Sequence, residues 1–436
     1  MNTKYFKYAI ILGILIRVFL AVFVHEIHTD FRNDMDWGIR FWEYGSKFYY
    51  KANVWSFDWP NQPPGTIYFH ALVRKLHEAV FGVFWFLNIH VPIFPSKLMF
   101  FLEKNLFAIM IKLSVSVFDA GLALVIYKLV KKKFDIKKAR LAAALLWLNP
   151  VIWYNSAVWG QYDSVNNFFA ILAAYLLLEK KPTFALASLI VSLYVKVSLL
   201  IYLPVITLVL LKQNYGLKKY FRSFLMIAIF LYILFLPFSD KNPYLYMVEL
   251  YKNRVLGNQL QLITANAFNL WAAIAGIHQL PHDLLFGPLT FKIWGQLLFS
   301  LSYIPVIILL LRNKIGLKSI FWSLSIVSIS SFMLLTNMHE RYLYPFFTTF
   351  IIVIFFEKRL IIHFWTLSVI NLLNLYNFWW VPKIVPVIGL LSFENRIMLR
   401  LLGLISFLLY INLYIKYLTT SKLSFKIVKV RPKSYE

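Results

Sequence analysis

The chain has 436 residues, of which 60% are hydrophobic and only 15% are charged, and it contains no cysteine. This composition excludes a soluble globular domain, disulfide bonds, thiol chemistry and Cys-ligated zinc. The net charge of +26 does not indicate nucleic-acid binding, because much of the Lys and Arg lies in short clusters between apolar runs. Such clusters are typical of the cytoplasmic loops of membrane proteins.

The apolar runs predict an all-α, polytopic helical membrane protein that forms one domain over residues 1–436. A helix needs about 20 residues to cross the hydrocarbon core, and we predict about twelve transmembrane helices. The predicted spans are residues 6–24, 105–129, 140–156, 163–178, 183–196, 197–211, 223–238, 289–311, 319–335, 343–356, 360–379 and 397–417. Residues 183–211 are short for two crossings. A hairpin turning near "YVKVS" and a single long span both remain open, and we prefer the hairpin.

The basic clusters predict the orientation of these spans. Lys4 and Lys7 precede the first span, and further clusters fall at every second crossing, in residues 128–140, 180–181, 212–222, 312–318 and 358–359 and in the tail 417–436. The positive-inside rule then places both termini of this multi-pass cell-membrane protein in the cytoplasm. A large first loop, residues 25–104, faces the extracytoplasmic side.

The first polar motif, "HTDFRNDMDWGIRFWEYG", follows the first span. On a helix Asp30, Asp34, Trp37 and Phe41 share one face. Two carboxylates one turn apart repel, which can raise one pKa toward the range of a general base. A solvated acidic loop is the alternative. The helix after Pro63 and Pro64 has an apolar and a polar stripe, and we expect it to lie on the membrane surface and brace the loop.

Four more motifs fall on the same predicted side of the membrane. In "NPVIWYNSAVWGQYD", Trp159, Gln161 and Asp163 lie among aromatic residues that form either an interfacial belt or a stacking surface for a sugar. Lys196 lies in an apolar hairpin, where it needs an anionic partner, such as a lipid phosphate, or a snorkelling route. The other two motifs are "TANAFNLW", with Asn266 and Asn269, and "TNMHERYLYP", with His339, Glu340, Arg341 and Tyr342.

The sequence has no H-E-x-x-H motif, no P-loop and no G-x-G-x-x-G motif. We therefore expect no nucleotide cofactor. The carboxylates Asp30, Asp34 and Asp163 leave Mg²⁺ or Mn²⁺ binding open, because their spacing does not decide it.

The motifs together carry a resemblance to a known family. The matching pieces are Asp30 with Trp37 and Gly45 at fixed spacing, the Pro63–Pro64 segment, "WGQYD", Lys196 with Pro204 after it, "NAFNLW" and "MHERYLYP". The chain resembles the GT-C glycosyltransferases, polytopic enzymes that use polyprenyl-phosphate-linked sugars. It is most similar to bacterial and archaeal relatives of the second GPI mannosyltransferase and of the N-glycan glucosyltransferases.

The resemblance implies an inverting hexosyltransferase that acts on the extracytoplasmic side. The donor would be a polyprenyl-phosphate hexose, with mannose as the candidate, and the acceptor a lipid-linked glycan, a glycolipid or a protein. Asp30 is the expected base, with Asp34 as its alternative, and Lys196 and Arg341 are expected to hold the donor phosphate. The expected substrate-binding residues are Trp37, Trp159, Gln161, Asp163, Asn266, Asn269, His339, Glu340 and Tyr342. A polysaccharide ligase or polymerase and a lipid or solute transporter remain as alternatives.

Overall fold

The computed structural model describes residues 1–257 and 260–422, which form seventeen α-helices and one two-stranded hairpin. The helices are α1 Thr3–Phe23, α2 Thr29–Phe48, α3 Pro64–His90, α4 Lys97–Lys131, α5 Ile136–Trp147, α6 Pro150–Trp153, α7 Asp163–Leu178, α8 Pro182–Val195, α9 Leu203–Lys212, α10 Leu217–Phe235, α11 Pro243–Leu250, α12 Leu270–Ala275, α13 Phe291–Arg312, α14 Leu317–Leu334, α15 Tyr344–Val353, α16 Ile361–Phe378 and α17 Val385–Lys422. Strands β1 Leu285–Phe286 and β2 Leu289–Thr290 pair antiparallel. Short 3-10 or π turns cover Tyr154–Val158, Val197–Tyr202, Tyr251–Val255, Glu340–Leu343 and Lys358–Leu360.

The helices agree with a polytopic membrane protein, but fewer of them have the length of a full span than the sequence predicts. Within the described residues, six helical segments are long and apolar enough to cross a membrane: α1, α4, α13, α14, Lys358–Phe378 and Arg396–Ser421. Helix α5 and residues Pro150–Val158 form a seventh if the 44° bend between them is counted within one span. Other predicted spans coincide with the shorter apolar helices α7, α8 and α9. The predicted number of about twelve therefore stays a prediction.

The structure resolves the alternatives for residues 183–211 in favour of the hairpin. Helix α8 runs antiparallel to α7, because the Ser192 hydroxyl donates to the Asn166 carbonyl and the Ser188 hydroxyl donates to the Phe169 carbonyl. Beyond the end of α9, the Gln213 amide donates at 3.0 Å to the carbonyl of Leu177, near the C-terminal end of α7. The chain therefore reverses near Lys196 and returns to the end from which α8 began.

The basic turns between helices gather at one end of the molecule. Lys132 pairs with Glu179, and Lys318 pairs with Glu357 at 2.8 Å. Lys212 donates to the carbonyl of Asn313 at 2.7 Å. These contacts join the turns after α4, α7, α9, α13 and α15, which carry most of the basic clusters in the sequence. The opposite end of the helices carries the polar motifs.

The first large loop folds onto that opposite end through α2 and α3. Helix α3 starts at Pro64, as the paired prolines predict, and the Thr66 hydroxyl donates to the carbonyl of Val195. Gly65 is needed for this approach, since a Cβ there would lie 2.6 Å from the Tyr194 carbonyl oxygen. Helix α3 is thereby held against the tip of the α8–α9 hairpin. Its predicted apolar stripe at Leu72 and Leu76 remains exposed, as a helix on a membrane surface requires.

A buried ion pair between Arg17 and Asp119 joins α1 to α4, and the sequence analysis did not anticipate it. Arg17 Nε lies 2.9 Å from Asp119 Oδ2, with side-chain exposures of 2% and 0%. The hydroxyls of Ser156 and Ser164 donate to the same carboxylate. The guanidinium of Arg17 also stacks on the Trp147 ring, at 3.6 Å from the ring centroid.

Replacing one partner of this pair should destabilise the protein far more than replacing both. We expect Asp119→Leu to lower the free energy of unfolding by about 3–5 kcal/mol, because it leaves a buried guanidinium unpaired. The double variant Arg17→Met/Asp119→Leu should recover most of this loss. Thermal unfolding of the detergent-solubilised variants measures both effects, and a double variant that is less stable than Asp119→Leu would contradict the explanation.

Candidate active site

Five segments bring the predicted site residues together at the end of the molecule away from the basic turns. They are the N-terminal part of α2, residues 155–163, the tip of the α8–α9 hairpin, residues 263–269, and the turn Glu340–Leu343. Backbone bridges of Ala265 and Asn266 with His339 join two of these segments. The sequence predicts these motifs separately, and the fold places them in one region.

Arg341 and Asp30 form the first ion pair of the site. Arg341 Nη1 lies 3.0 Å from Asp30 Oδ2 and 3.2 Å from Glu340 Oε1. The two carboxylates differ in environment, because the Asp30 side chain is 37% exposed whereas that of Glu340 is 0% exposed. Burial raises the pKa of Glu340 to about 7 despite the nearby Arg341. Asp30 is thus the more solvent-accessible partner of Arg341, and Glu340 is the enclosed one.

Lys196 and Asp163 form the second ion pair. Lys196 Nζ lies 2.5 Å from Asp163 Oδ1, and both side chains are almost completely buried. The Asn155 amide donates to the other oxygen of Asp163 at 3.2 Å. The apolar surroundings of Lys196 in the sequence predict an anionic partner, such as a lipid phosphate. In this structure that partner is a carboxylate of the same chain.

Lys196 and Arg341 both lie near the ring of Tyr342. The Tyr342 ring centroid is 5.6 Å from Lys196 Nζ and 6.0 Å from the Arg341 guanidinium carbon. The Trp159 ring lies 5.7 Å from the same guanidinium carbon. Both positive charges therefore border one region, as the binding of a single anionic group by both would require.

The carboxylates of α2 differ in their ionisation. Burial opposes ionisation of Asp30, but the charge of Arg341, aided by His28, His339 and Lys196, holds its pKa below the ordinary value. Burial and the neighbouring Asp30 charge raise the pKa of Asp34 well above its ordinary value. Asp34 Oδ2 lies 4.0 Å from His70 Nε2 in a completely buried region.

Several buried polar atoms in this region have no hydrogen-bond partner among the described residues. They are Asn155 Oδ1, Trp159 Nε1, Gln161 Nε2, His339 Nδ1 and Arg341 Nε. Buried polar groups are normally hydrogen-bonded, so such a concentration indicates that a polar ligand or water completes the site. The unpaired N–H of Arg341 is a charged donor, and such donors form their strongest hydrogen bonds with anionic groups.

Three predicted substrate-binding residues, Trp37, Asn266 and Asn269, make hydrogen bonds within the protein. Trp37 is buried and its indole N–H donates to the Asp58 carbonyl at 2.9 Å. Asn269 caps α12, since its side-chain oxygen accepts from the backbone N–H groups of Trp271 and Ala272, and its amide donates to the Phe332 carbonyl. Asn266 has a positive φ of 71°, and Asn374 and Asn377 donate to its two oxygens.

His28 belongs to the site although the sequence analysis assigned it no role. Its Nδ1 accepts from the Asp30 backbone N–H at 3.1 Å, and its ring packs against Trp159, Phe378 and Trp379. Its position two residues before Asp30, at the start of a helix, was the available signal. Phe378 and Trp379 lie far from His28 in the sequence, so their contact with its ring is visible only in the tertiary structure.

The described residues contain no group of three or more His, Asp or Glu side chains arranged to hold a metal ion. Asp30 and Asp163 each contact a cationic side chain of the protein instead, and Asp34 lies beside His70. The geometry therefore adds no support to the Mg²⁺ or Mn²⁺ alternative.

A largely apolar groove of about 660 Å³ lies beside the hairpin tip, between α8, α10 and residues 247–257. Leu193 and Tyr194 line it and lie two or three residues before Lys196, so the groove reaches the end of α8 that precedes Lys196 and the second ion pair. Most of its wall is apolar, with Lys252 as the charged member.

Residues 161–254 match the family model described as ALG3 protein. The chain is a membrane glycosyltransferase. The matched segment contains Gln161, Asp163, Lys196 and most of the groove. No curated protein sequence matches the chain. The family match confirms the prediction of an enzyme and favours it over the transporter alternative.

Paired variants of the glycosyltransferase should separate supporting residues from ligand-binding ones. Asn269→Leu should lower the free energy of unfolding by about 1–3 kcal/mol, because a helix cap and a buried hydrogen bond are lost. Gln161→Met should change stability less, because its amide N–H groups have no protein partner, but should reduce sugar transfer. Thermal unfolding and activity per folded protein measure the two effects. A Gln161→Met variant with full activity and low stability would assign Gln161 a structural role.

Proposed function

We propose that this enzyme transfers mannose from polyprenyl-phosphate mannose to a lipid-linked glycan on the extracytoplasmic side of the membrane. The observation that carries the proposal is the convergence of Arg341, Lys196 and Asp30 on one region. The ALG3 family match supports mannose as the sugar and a lipid-linked glycan as the acceptor. A glycolipid or protein hydroxyl is the alternative acceptor.

The donor phosphate would lie between Arg341 and Lys196. Arg341 offers its unpaired Nε–H, and Lys196 offers a compact positive charge. As the bond between the anomeric carbon and the phosphate oxygen breaks, its electron pair stays on the phosphate. Cations already in place stabilise that developing charge without reorganisation. Polyprenyl phosphate is then the leaving group.

Asp30 is the proposed general base. Its partly exposed carboxylate lies next to the phosphate-binding Arg341, where an acceptor hydroxyl can approach the anomeric carbon. The acceptor oxygen forms the new bond to that carbon while its proton moves to Asp30. A single displacement of this kind inverts the anomeric configuration. Asp34 is less suited, because it is enclosed beside His70 and is 3% exposed.

The surroundings of the ion pairs supply the remaining binding groups. Trp159 and Tyr342 offer aromatic faces on which a sugar can stack. Gln161 and His339 offer unpaired hydrogen-bonding atoms at the site. The apolar groove beside Tyr194 suits the polyprenyl chain, because it opens beside the hairpin tip that carries Lys196. Trp37, Asn266, Asn269 and Glu340 would hold the site in shape.

The proposed orientation places the basic end in the cytoplasm. The clustering of the basic turns at one end supports this, because cytoplasmic loops attract Lys and Arg. The site at the opposite end then faces outward, where a lipid-linked donor supplies the sugar without a nucleotide. In this topology the chain crosses the membrane about twelve times, with several short helices among the spans.

Purified enzyme should transfer radiolabelled mannose from polyprenyl-phosphate mannose to lipid-linked glycan without any added nucleotide sugar. Asp30→Asn should reduce the rate by about 100-fold or more, because the base is lost and the shape is kept. Asp34→Asn should reduce it less. Glu43→Gln removes an exposed charge from the same helix and serves as the control. An inactive Asp34→Asn beside an active Asp30→Asn would reassign the base, and transfer that requires a nucleotide sugar would reject the donor.

Accessibility tags should report the orientation. A tag at Tyr215 and a tag in the C-terminal tail, which lies beyond the described residues, should be cytoplasmic. A tag near Pro281 should be extracytoplasmic. Labelling with a membrane-impermeant reagent in intact cells measures each position, and external labelling at Tyr215 would reverse the proposed orientation.

A further inference from the structure

Both cations of the site are already neutralised in the absence of substrate. Arg341 contacts Asp30 and Glu340, and Lys196 contacts Asp163. A donor phosphate that approaches these cations therefore meets carboxylates that hold the same positions. The Nε–H of Arg341 is open to a first contact, but a phosphate that also binds Nη1 must displace a carboxylate from it.

The three carboxylates differ in their freedom to leave. The side chains of Glu340 and Asp163 are 0% and 5% exposed, so either would have to remain in the protein interior without a partner. A buried unpaired charge is costly. Asp30 is 37% exposed and can turn toward solvent when it loses Arg341. Among these groups Asp30 is the one that can be displaced at low cost.

We propose that the donor phosphate replaces Asp30 as the partner of Arg341, so that donor binding itself releases the catalytic base. This inference rests on the proposed function, since it assumes that Arg341 binds the donor phosphate and that Asp30 is the base. Before the exchange, the Asp30 carboxylate is held by a guanidinium and is a weak proton acceptor. After it, a neighbouring phosphate repels the carboxylate and favours its protonated form.

The exchange has a mechanistic consequence for the order of events. Asp30 can accept the proton of an acceptor hydroxyl only after a donor occupies Arg341. An acceptor that enters first meets a base that is still paired. The enzyme thus deprotonates the acceptor hydroxyl only when a donor sugar is bound for it to attack.

The exchange predicts that Asp30→Asn strengthens donor binding. The neutral amide no longer competes for Arg341 and no longer repels the phosphate. We expect farnesyl phosphate, a short polyprenyl monophosphate, to bind the Asp30→Asn enzyme about fivefold more tightly than the unaltered enzyme, as loss of one partly exposed ion pair implies. Calorimetry or a thermal-shift titration in detergent measures the affinity. Farnesol, which lacks the phosphate, should bind both forms equally.

Three comparison variants complete the experiment. Glu43→Gln removes the same charge from the exposed part of α2 and should leave farnesyl phosphate affinity unchanged. Arg341→Lys should weaken it because the charge is kept but the planar fork of N–H donors is lost, and Lys196→Ala should weaken it because the phosphate loses a cation. Unchanged or weaker binding to Asp30→Asn, together with weaker binding to Lys196→Ala, overturns the exchange and leaves the phosphate site standing. Unchanged binding in all four variants overturns both.

Discussion

Lys196 lies where the chain reverses between two short apolar helices, and Asp163 neutralises it at 2.5 Å. A lysine at this depth requires an anion, so the hairpin tip must remain against the start of α7. That contact fixes the position of α8 and α9 along the axis of α7. It also sets the position of α3, which is held against the same tip through Thr66 and Gly65. The position of the large first loop therefore depends on the ion pair that neutralises the buried charge of Lys196.

The loop in turn brings α2 and its carboxylates to the cations. Asp30 reaches Arg341 from a helix that begins more than 300 residues earlier in the chain, and His28 anchors the start of that helix among Trp159, Phe378 and Trp379. The resulting site is neutral without substrate but has unpaired hydrogen-bonding atoms. In the proposed function a phosphate enters these ion pairs, and the pairing means that the fold carries no isolated buried charge on Arg341 or Lys196.

The same electrostatic rule acts elsewhere in the helical bundle. Arg17 and Asp119 lie far from any aqueous loop in the sequence, yet they meet in a cluster with Ser156 and Ser164. This pair joins the first long helix to α4, whose neighbour α7 carries Asp163 at its start. In the scaffold and in the site alike, Arg17 and Lys196 contact a carboxylate from another segment, whereas the buried Lys112 donates to the backbone carbonyl of Val24.

The sequence by itself determined the class of protein, because long apolar runs and basic turns follow directly from the chemistry of lipid and water. It also predicted Asp30, Lys196 and Arg341 as site residues, since charged residues beside apolar spans are costly, and the fold places these three residues in one region. Only the tertiary structure decided which charges pair. The separations of Asp30 from Arg341 and of Asp163 from Lys196 are long-range and leave no periodic signal in the chain. For the same reason the structural roles of Trp37 and Asn269, and the contacts of His28, became visible only when distant backbone carbonyls and rings were brought beside them.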